Sequence, residues 1–123
     1  MDVRKRVLVV EDDPSVRQML VRALGVQFTM SEACDGAEAI TLLRGELVPD
    51  LIITDVMMPK MNGYALSRHL KTDPRLKAIP IIFLTARTSA KDVVEGINAG
   101  ARHYISKPFS LRDVLDKVVK ILK

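Results

Sequence analysis

The sequence predicts a single α/β domain in which five βα units form a doubly wound parallel sheet. Strand-like and helix-like segments alternate along all 123 residues. The strand-like runs are almost wholly apolar, as is typical of parallel strands that are buried on both faces. The helix-like runs carry apolar residues along one face only. This pattern favours one domain over residues 1–123, with helices covering both faces of the sheet.

Each predicted element has its own local signal. The predicted strands are Arg6 to Val10, Phe28 to Glu32, Leu51 to Asp55, Ile79 to Thr85 and Arg102 to Ser106. The first helix begins after a capping Asp13 and buries Val16, Met19, Leu20, Ala23 and Leu24. Later helices are expected after Asp35-Gly36, from Gly63 to about Lys71, behind Ser89 up to Gly100, and after Ser110.

Composition narrows the class of protein. The net charge is +4, aromatic residues make up 4% of the chain, and the positive charge is not concentrated in one element. We therefore expect no direct binding of nucleic acid. No apolar run approaches the ~20 residues that a membrane span needs, and no signal peptide is expected. The single cysteine, Cys34, excludes an internal disulfide and favours a cytoplasmic location.

Four of the five predicted strands end on polar side chains. These are Glu11 and Asp12 after the first strand, Asp55 at the end of the third, Thr85 and Lys107. In open parallel sheets, ligands bind beyond the carboxyl ends of the strands. We therefore expect three carboxylates, one hydroxyl and one ammonium to meet in one crevice. The second strand adds nothing to this set, as expected of an edge strand.

The expected crevice calls for a cation. Two carboxylates ~4–5 Å apart repel by roughly 3–4 kcal/mol at an effective dielectric constant of 20. A site of hard oxygen ligands suits Mg²⁺, which also accepts phosphate oxygens. Asp55 can then act as the nucleophile towards a phosphoryl donor and form an aspartyl phosphate. Lys107 and Thr85 can neutralise and bind the phosphoryl oxygens.

The sequence resembles the receiver domains of bacterial two-component response regulators, those of chemotaxis included. The resemblance covers essentially the whole chain and rests on four segments in order. They are Val7 to Pro14, Asp50 to Gly63, Ile79 to Ala86, and Gly100 to Phe109 with its Lys107-Pro108-Phe109. The resemblance also implies the sheet order 2-1-3-4-5 of flavodoxin-like folds and a cis peptide before Pro108.

The resemblance implies a role for each candidate residue. Asp55 is the implied phosphoacceptor, with Thr85 and Lys107 on the phosphoryl group. The implied Mg²⁺ ligands are Asp12, Asp55 and the backbone carbonyl of Met57, with Glu11 acting through water. Thr85 and Tyr104 are the implied switch residues, and the implied tuners of self-dephosphorylation are Met57 and Arg87.

The implied function is a phosphorylation-activated signalling switch rather than an enzyme acting on external substrates. A histidine kinase or a histidine phosphotransfer protein would supply the phosphoryl group. An output domain or partner protein would dock on the fourth helix, fifth strand and fifth helix, and the chain would be a monomer or a phosphorylation-dependent dimer. Arg102 and His103 depart from the family pattern, because acids are common there.

Two other classes of protein remain open on the residues alone. The first is a small phosphatase with an aspartyl nucleophile, but such enzymes with an Asp-x-Asp motif would have an acid in place of Met57. The second is an interaction module that keeps only the fold. Such a module would be expected to have lost an acid, the threonine or the lysine, and all are present. A stand-alone regulator and a receiver excised from a longer protein both remain open.

Overall fold

A computed structural model describes residues 4–58, 61–85 and 102–122 and shows a five-stranded parallel sheet in the order β2-β1-β3-β4-β5. Its strands are β1 (Arg6–Val10), β2 (Thr29–Ala33), β3 (Leu51–Asp55), β4 (Ile81–Thr85) and β5 (His103–Ser106). The predicted α/β fold class and the strand order implied by the resemblance are both confirmed.

Four helices lie within the described residues: α1 (Pro14–Leu24), α2 (Gly36–Leu43), α3 (Gly63–Lys71) and α4 (Leu111–Leu122). The helix predicted behind Ser89 falls outside the described residues, so α4 corresponds to the fifth predicted helix. Side chains that accept backbone N–H groups cap all four helices at their N-termini: Asp13, Asp35, Asn62 and Ser110. The described part of the chain contains no helix that is long and apolar enough to cross a membrane.

The sheet separates two apolar layers, and alternate strand residues serve each of them. On one face, Leu8, Ile52 and Phe83 pack with residues of α2 and α3. On the other face, Val9 and Ile53 pack with residues of α1 and α4. Because both faces are covered, every residue of β3 and β4 is buried. The core therefore covers both faces of the central strands, and polar side chains follow at their carboxyl ends.

Several local expectations were wrong. Met19 is 39% exposed, although it was predicted to be on the buried face of α1. It is rotated by about 100° from the buried Leu20 and so lies at the edge of the apolar stripe. Strand β2 begins one residue later than predicted, because the buried Phe28 belongs to the preceding turn. Strand β4 begins at Ile81, two residues later than predicted, and β5 begins at His103.

Candidate functional site

The carboxyl ends of β1 and β3 bring three acidic side chains together. Glu11, Asp12 and Asp55 each offer a carboxylate oxygen, and these three atoms lie within 4.8 Å of one another. The strand ends are held in register by backbone hydrogen bonds, from Glu11 N to the Ala33 carbonyl (3.0 Å) and from Val56 N to the Leu84 carbonyl (3.1 Å). Glu11 and Asp55 are buried, whereas Asp12 is exposed.

Lys107 enters the acidic cluster from the end of β5. Its Nζ lies 2.6 Å from Oδ2 of Asp55 and 3.7 Å from Oε1 of Glu11. The backbone N–H of Lys107 donates to the carbonyl of Thr85 at 2.9 Å, which fixes the start of this loop to the end of β4. The peptide between Lys107 and Pro108 is cis, as the family resemblance implied. The loop thus directs an ammonium group at the Asp55 carboxylate.

The charges of the site shift two pKa values. Burial raises the pKa of the Glu11 carboxyl to about 7. The negative charge of Asp55 also raises this pKa, whereas a hydrogen bond from the backbone N–H of Asp13 lowers it. Burial alone would lower the pKa of Lys107. Its hydrogen bond to Asp55 and the negative charges of the cluster outweigh that effect, so the pKa of Lys107 is raised. Lys107 therefore stays cationic, and the cluster carries more negative charge than one ammonium balances.

The donor set fits a magnesium ion. Its side-chain atoms are all carboxylate oxygens, which are the hard ligands that Mg²⁺ prefers. Oε1 of Glu11 is buried and has no hydrogen-bond partner among the described residues. A buried oxygen without a hydrogen-bond donor is costly unless a cation or water meets it. The cluster can thus accommodate a divalent cation with some of its waters, and the exposed Asp12 leaves one side open.

Asp55 has a partner for each of its oxygens. Oδ2 accepts from Lys107, and Oδ1 accepts from the backbone N–H of Met57 at 3.2 Å. The Met57 side chain is 55% exposed and lies beside the site rather than in the core. These two contacts orient the carboxylate at the mouth of the crevice, where a donor can approach it.

The two implied switch residues lie on neighbouring strands. Thr85 ends β4 and is buried, and its register partner in β5 is Ser106. The Tyr104 ring lies 5.8 Å from the Phe83 ring between centroids. The Tyr104 hydroxyl is buried and makes no hydrogen bond to any described residue. The tyrosine is therefore turned inwards in this structure, against the α2–α3 layer of the core.

Arg17 and Gly63, which the sequence analysis did not assign to the site, support the backbone that carries Glu11 and Asp55. The guanidinium of Arg17 donates to the Glu11 carbonyl at 2.9 Å and to Oε1 of Glu32 at 3.0 Å. Gly63 lies against the backbone of Asp55, because a Cβ there would be 2.5 Å from the Asp55 carbonyl oxygen. The only feature of the sequence that could have indicated the role of Arg17 is its position on α1, one turn after Asp13. The sequence analysis predicted Gly63 only as the start of a helix.

The remaining predicted residues have mixed outcomes. Asp13 caps α1 through Oδ1, which accepts from Ser15 N at 2.8 Å, and it lies outside the acidic cluster. Arg87, predicted to border the phosphoryl group, lies outside the described residues. The Met57 carbonyl as a metal ligand and the roles of Thr85 and Tyr104 stay predictions.

A parallel sheet in this order, with an acidic crevice and a lysine at its carboxyl edge, defines an α/β domain of the receiver type. The sequence matches the family described as the response regulator receiver domain over residues 7–119. It is 43% identical over 117 residues to the DNA-binding response regulator MtrA of Mycolicibacterium smegmatis, covering 94% of this chain and 50% of that protein. The chain thus spans about half the length of the curated relatives it matches.

Solved structures give the same result. The chemotaxis response regulator CheY4 of Vibrio cholerae superposes with a TM-score of 0.89 at 32% identity, covering 97% of this chain and 99% of that one. The signal receiver domain of a histidine kinase from Syntrophus aciditrophicus gives 0.89 at 38% identity, with coverages of 96% and 89%. The chain belongs to the response regulator receiver family and is a regulatory domain of two-component signalling.

Proposed function

We propose that Asp55 accepts a phosphoryl group from a histidine kinase or a histidine phosphotransfer protein in a Mg²⁺-dependent reaction. The observation that carries the proposal is the contact between Lys107 Nζ and Asp55 Oδ2 at 2.6 Å, beside the carboxylates of Glu11 and Asp12. A cation that pairs with the acceptor before transfer is placed to pair with the phosphoryl oxygens after it.

The transfer step follows from the two oxygens of Asp55. One carboxylate oxygen attacks phosphorus and forms a new P–O bond, while the bond from phosphorus to the donor's imidazole nitrogen breaks. The imidazole nitrogen keeps the electron pair of that bond. Lys107 then exchanges its hydrogen bond with the carboxylate for one with a phosphoryl oxygen, and Thr85, at the end of β4, offers its hydroxyl to another.

Magnesium has a limited and definable role in this proposal. Held by Asp12 and Asp55, with the Met57 carbonyl as a third ligand and Glu11 acting through water, it would neutralise the equatorial phosphoryl oxygens. The orientation of the Asp55 carboxylate comes from the protein itself. Lys107 donates to Oδ2 of Asp55, and the Met57 N–H donates to Oδ1.

The output of the switch is proposed to pass through β5, α4 and the helix predicted behind Ser89. An output domain or partner protein would dock there, and the domain would be a monomer or a phosphorylation-dependent dimer in the cytoplasm. MtrA is described as DNA-binding. Our expectation that residues 1–123 do not themselves bind nucleic acid therefore stays a prediction.

Intact-mass measurement after incubation with acetyl phosphate and Mg²⁺ tests the acceptor assignment. We expect one added phosphoryl group in the wild type and none in Asp55→Asn. Asp13→Asn is the matched control, because it removes a neighbouring charge but keeps a capping side chain, and it should label like the wild type. Labelling of Asp55→Asn at the wild-type rate, or equal labelling in excess chelator, would contradict the proposal.

The lifetime of the phosphorylated state is proposed to depend on Met57 and Arg87. Met57 is apolar and exposed beside the acceptor, so it cannot orient an attacking water. Arg87 carries a cation two residues after Thr85. Neither can act as a general base, and we expect slow self-hydrolysis. A Met57→Asn, Arg87→Glu double variant should lose its phosphoryl group faster than the wild type; an unchanged rate would show that other groups control water access.

A further inference from the structure

A cavity lies at the edge of the sheet opposite the acidic crevice. It has a volume of about 340 Å³ and lies where β4 and β5 begin, between the end of α3 and the first residues of β5. Its lining includes three cations, Lys71, Lys77 and Arg102, together with the imidazole of His103. The segment from Ala78 to Ile81 forms its apolar wall, and none of the described residues that line it is acidic. A volume of this size is within the range of small-ligand sites.

The cations around this cavity are not neutralised within the described part of the chain. Neither Lys77 nor Arg102 pairs there with a carboxylate, whereas Lys107 at the other edge has two. The ammonium of Lys71 donates to the carbonyl of Lys77 at 3.2 Å, which holds it at the rim. Cations near a helix C-terminus are common because the helix dipole favours them, and this accounts for Lys71. It does not account for Lys77 and Arg102, which lie on loops.

The surroundings of His103, which also lines the cavity, carry an excess of positive charge. Partial burial lowers its pKa, and the charges of Lys117 and Arg102 lower it further. Its other side faces a depression lined by Lys117, Lys120 and Asp116. Asp116 is the one acid among the described residues of that depression, and its carboxylate lies 3.7 Å from Nε of Arg112. An anion in the cavity would therefore relieve repulsion among groups that the described chain leaves uncompensated.

We propose that this cavity binds a small anion bearing two or more phosphate groups, held by Lys71, Lys77 and Arg102. Small size is favoured because the cavity is a local recess between α3 and β5 rather than an extended face. Phosphate groups suit the mixture of ammonium and guanidinium donors, since Arg binds them in a bidentate manner and Lys binds them as a point charge. The site is independent of Asp55, from which it is separated by the length of the strands.

The test uses inorganic pyrophosphate and the whole chain in excess chelator, which keeps divalent cations away from the acidic crevice. The imidazole resonances of His103 are followed by NMR during the titration. His69 is an internal control, because it is exposed and lines a different depression, beside Arg44. We expect saturable changes at His103 with a raised pKa, little change at His69, and the same result in Asp55→Asn.

Paired variants locate the binding. Lys77→Gln with Arg102→Gln should weaken pyrophosphate binding at least tenfold. Arg22→Gln with Arg112→Gln removes the same charge from exposed positions elsewhere and should leave binding within about twofold. Equal affinity in both double variants would overturn the proposal, as would an equal His103 response to sodium chloride at matched ionic strength. If a glutamate-rich peptide binds and pyrophosphate does not, the proposed small-anion site is wrong and the cavity is part of a surface for an acidic protein.

Discussion

The ammonium of Lys107 lies 2.6 Å from Oδ2 of Asp55 and joins the ends of β5 and β3 across β4. Asp55 is almost fully buried, whereas the side chain of Lys107 is 29% exposed. The pair therefore offsets the burial of a carboxylate while keeping its cation accessible to a ligand. The same contact serves stability in the free domain and charge neutralisation in the proposed reaction.

Lys107→Met should destabilise the domain by about 1–3 kcal/mol, because it leaves a buried carboxylate without its cation; the partial exposure of Lys107 keeps the loss below that of a fully buried pair. Urea unfolding of the metal-free protein measures this free energy. Asp55→Asn combined with Lys107→Met should recover most of the loss, since no buried charge then remains. A double variant as unstable as Lys107→Met alone would show that Lys107 acts through packing.

Asp12→Asn should leave metal-free stability unchanged or raise it by up to about 1 kcal/mol, because it removes one carboxylate from a cluster of three acidic groups. The same change should abolish the rise in thermal midpoint that Mg²⁺ causes in the wild type. Differential scanning fluorimetry with and without Mg²⁺ measures both. Asp13→Asn is the matched control and should keep the Mg²⁺ response. A clear fall in metal-free stability for Asp12→Asn would mean that Lys107 already balances the cluster.

Arg17→Met should weaken Mg²⁺ binding by about tenfold, in the range found for groups that orient metal ligands. The reason is that Arg17 donates a hydrogen bond of 2.9 Å to the Glu11 carbonyl, which is part of the peptide group that links Glu11 to Asp12. The measurement is the Mg²⁺ dependence of the thermal midpoint. Arg22→Met, on an exposed position of the same helix, should keep the wild-type affinity. If the two variants bind Mg²⁺ with equal affinity, Arg17 does not orient the metal ligands, and its role is confined to the ion pair with Glu32.

Gly63→Ala should destabilise the domain by about 1–3 kcal/mol, because the new methyl group would overlap the Asp55 backbone. It should also slow phosphorylation of Asp55, since the carboxylate has to move with its backbone. Gly45→Ala is the matched control: its Cβ would be 3.5 Å from the nearest described atom, the carbonyl oxygen of Leu42. That variant should be neutral or slightly stabilising. Wild-type stability and labelling in Gly63→Ala would show that the helix start can shift freely.

Tyr104→Phe should stabilise the metal-free domain by roughly 0.5–1.5 kcal/mol, because it removes a buried hydroxyl that has no partner among the described residues. The ring and its packing on Phe83 are kept. Phosphorylation by acetyl phosphate should proceed at the wild-type rate, as Tyr104 touches neither Asp55 nor Lys107 in the contacts described. Urea unfolding and intact mass measure the two effects. A loss of stability would mean that the hydroxyl has a hydrogen-bond partner other than the described residues.

The fold class and the side chains of the acidic crevice are predictable from the amino-acid sequence alone. Short apolar runs such as Leu51 to Ile53, alternating with helix-like segments, are typical of parallel strands that are covered on both faces. In a parallel sheet, all strand ends of one polarity lie at one edge. The sequence therefore places Glu11, Asp55 and Lys107 at that edge. The strand order came from the family resemblance rather than from the residues.

Which of these groups are in contact, and which residues support them, depends on the three-dimensional packing of the chain. The direct pairing of Lys107 with Asp55 depends on the path of the loop after β5. The hydrogen bond from Arg17 to the Glu11 carbonyl depends on how α1 packs beside β2. Met19 shows the same limit, because the boundary of a buried helix face depends on the neighbouring helix and not on periodicity alone. The cavity formed by Lys77 and Arg102 was also hidden, since these residues are 25 positions apart and meet only when β4 and β5 pair.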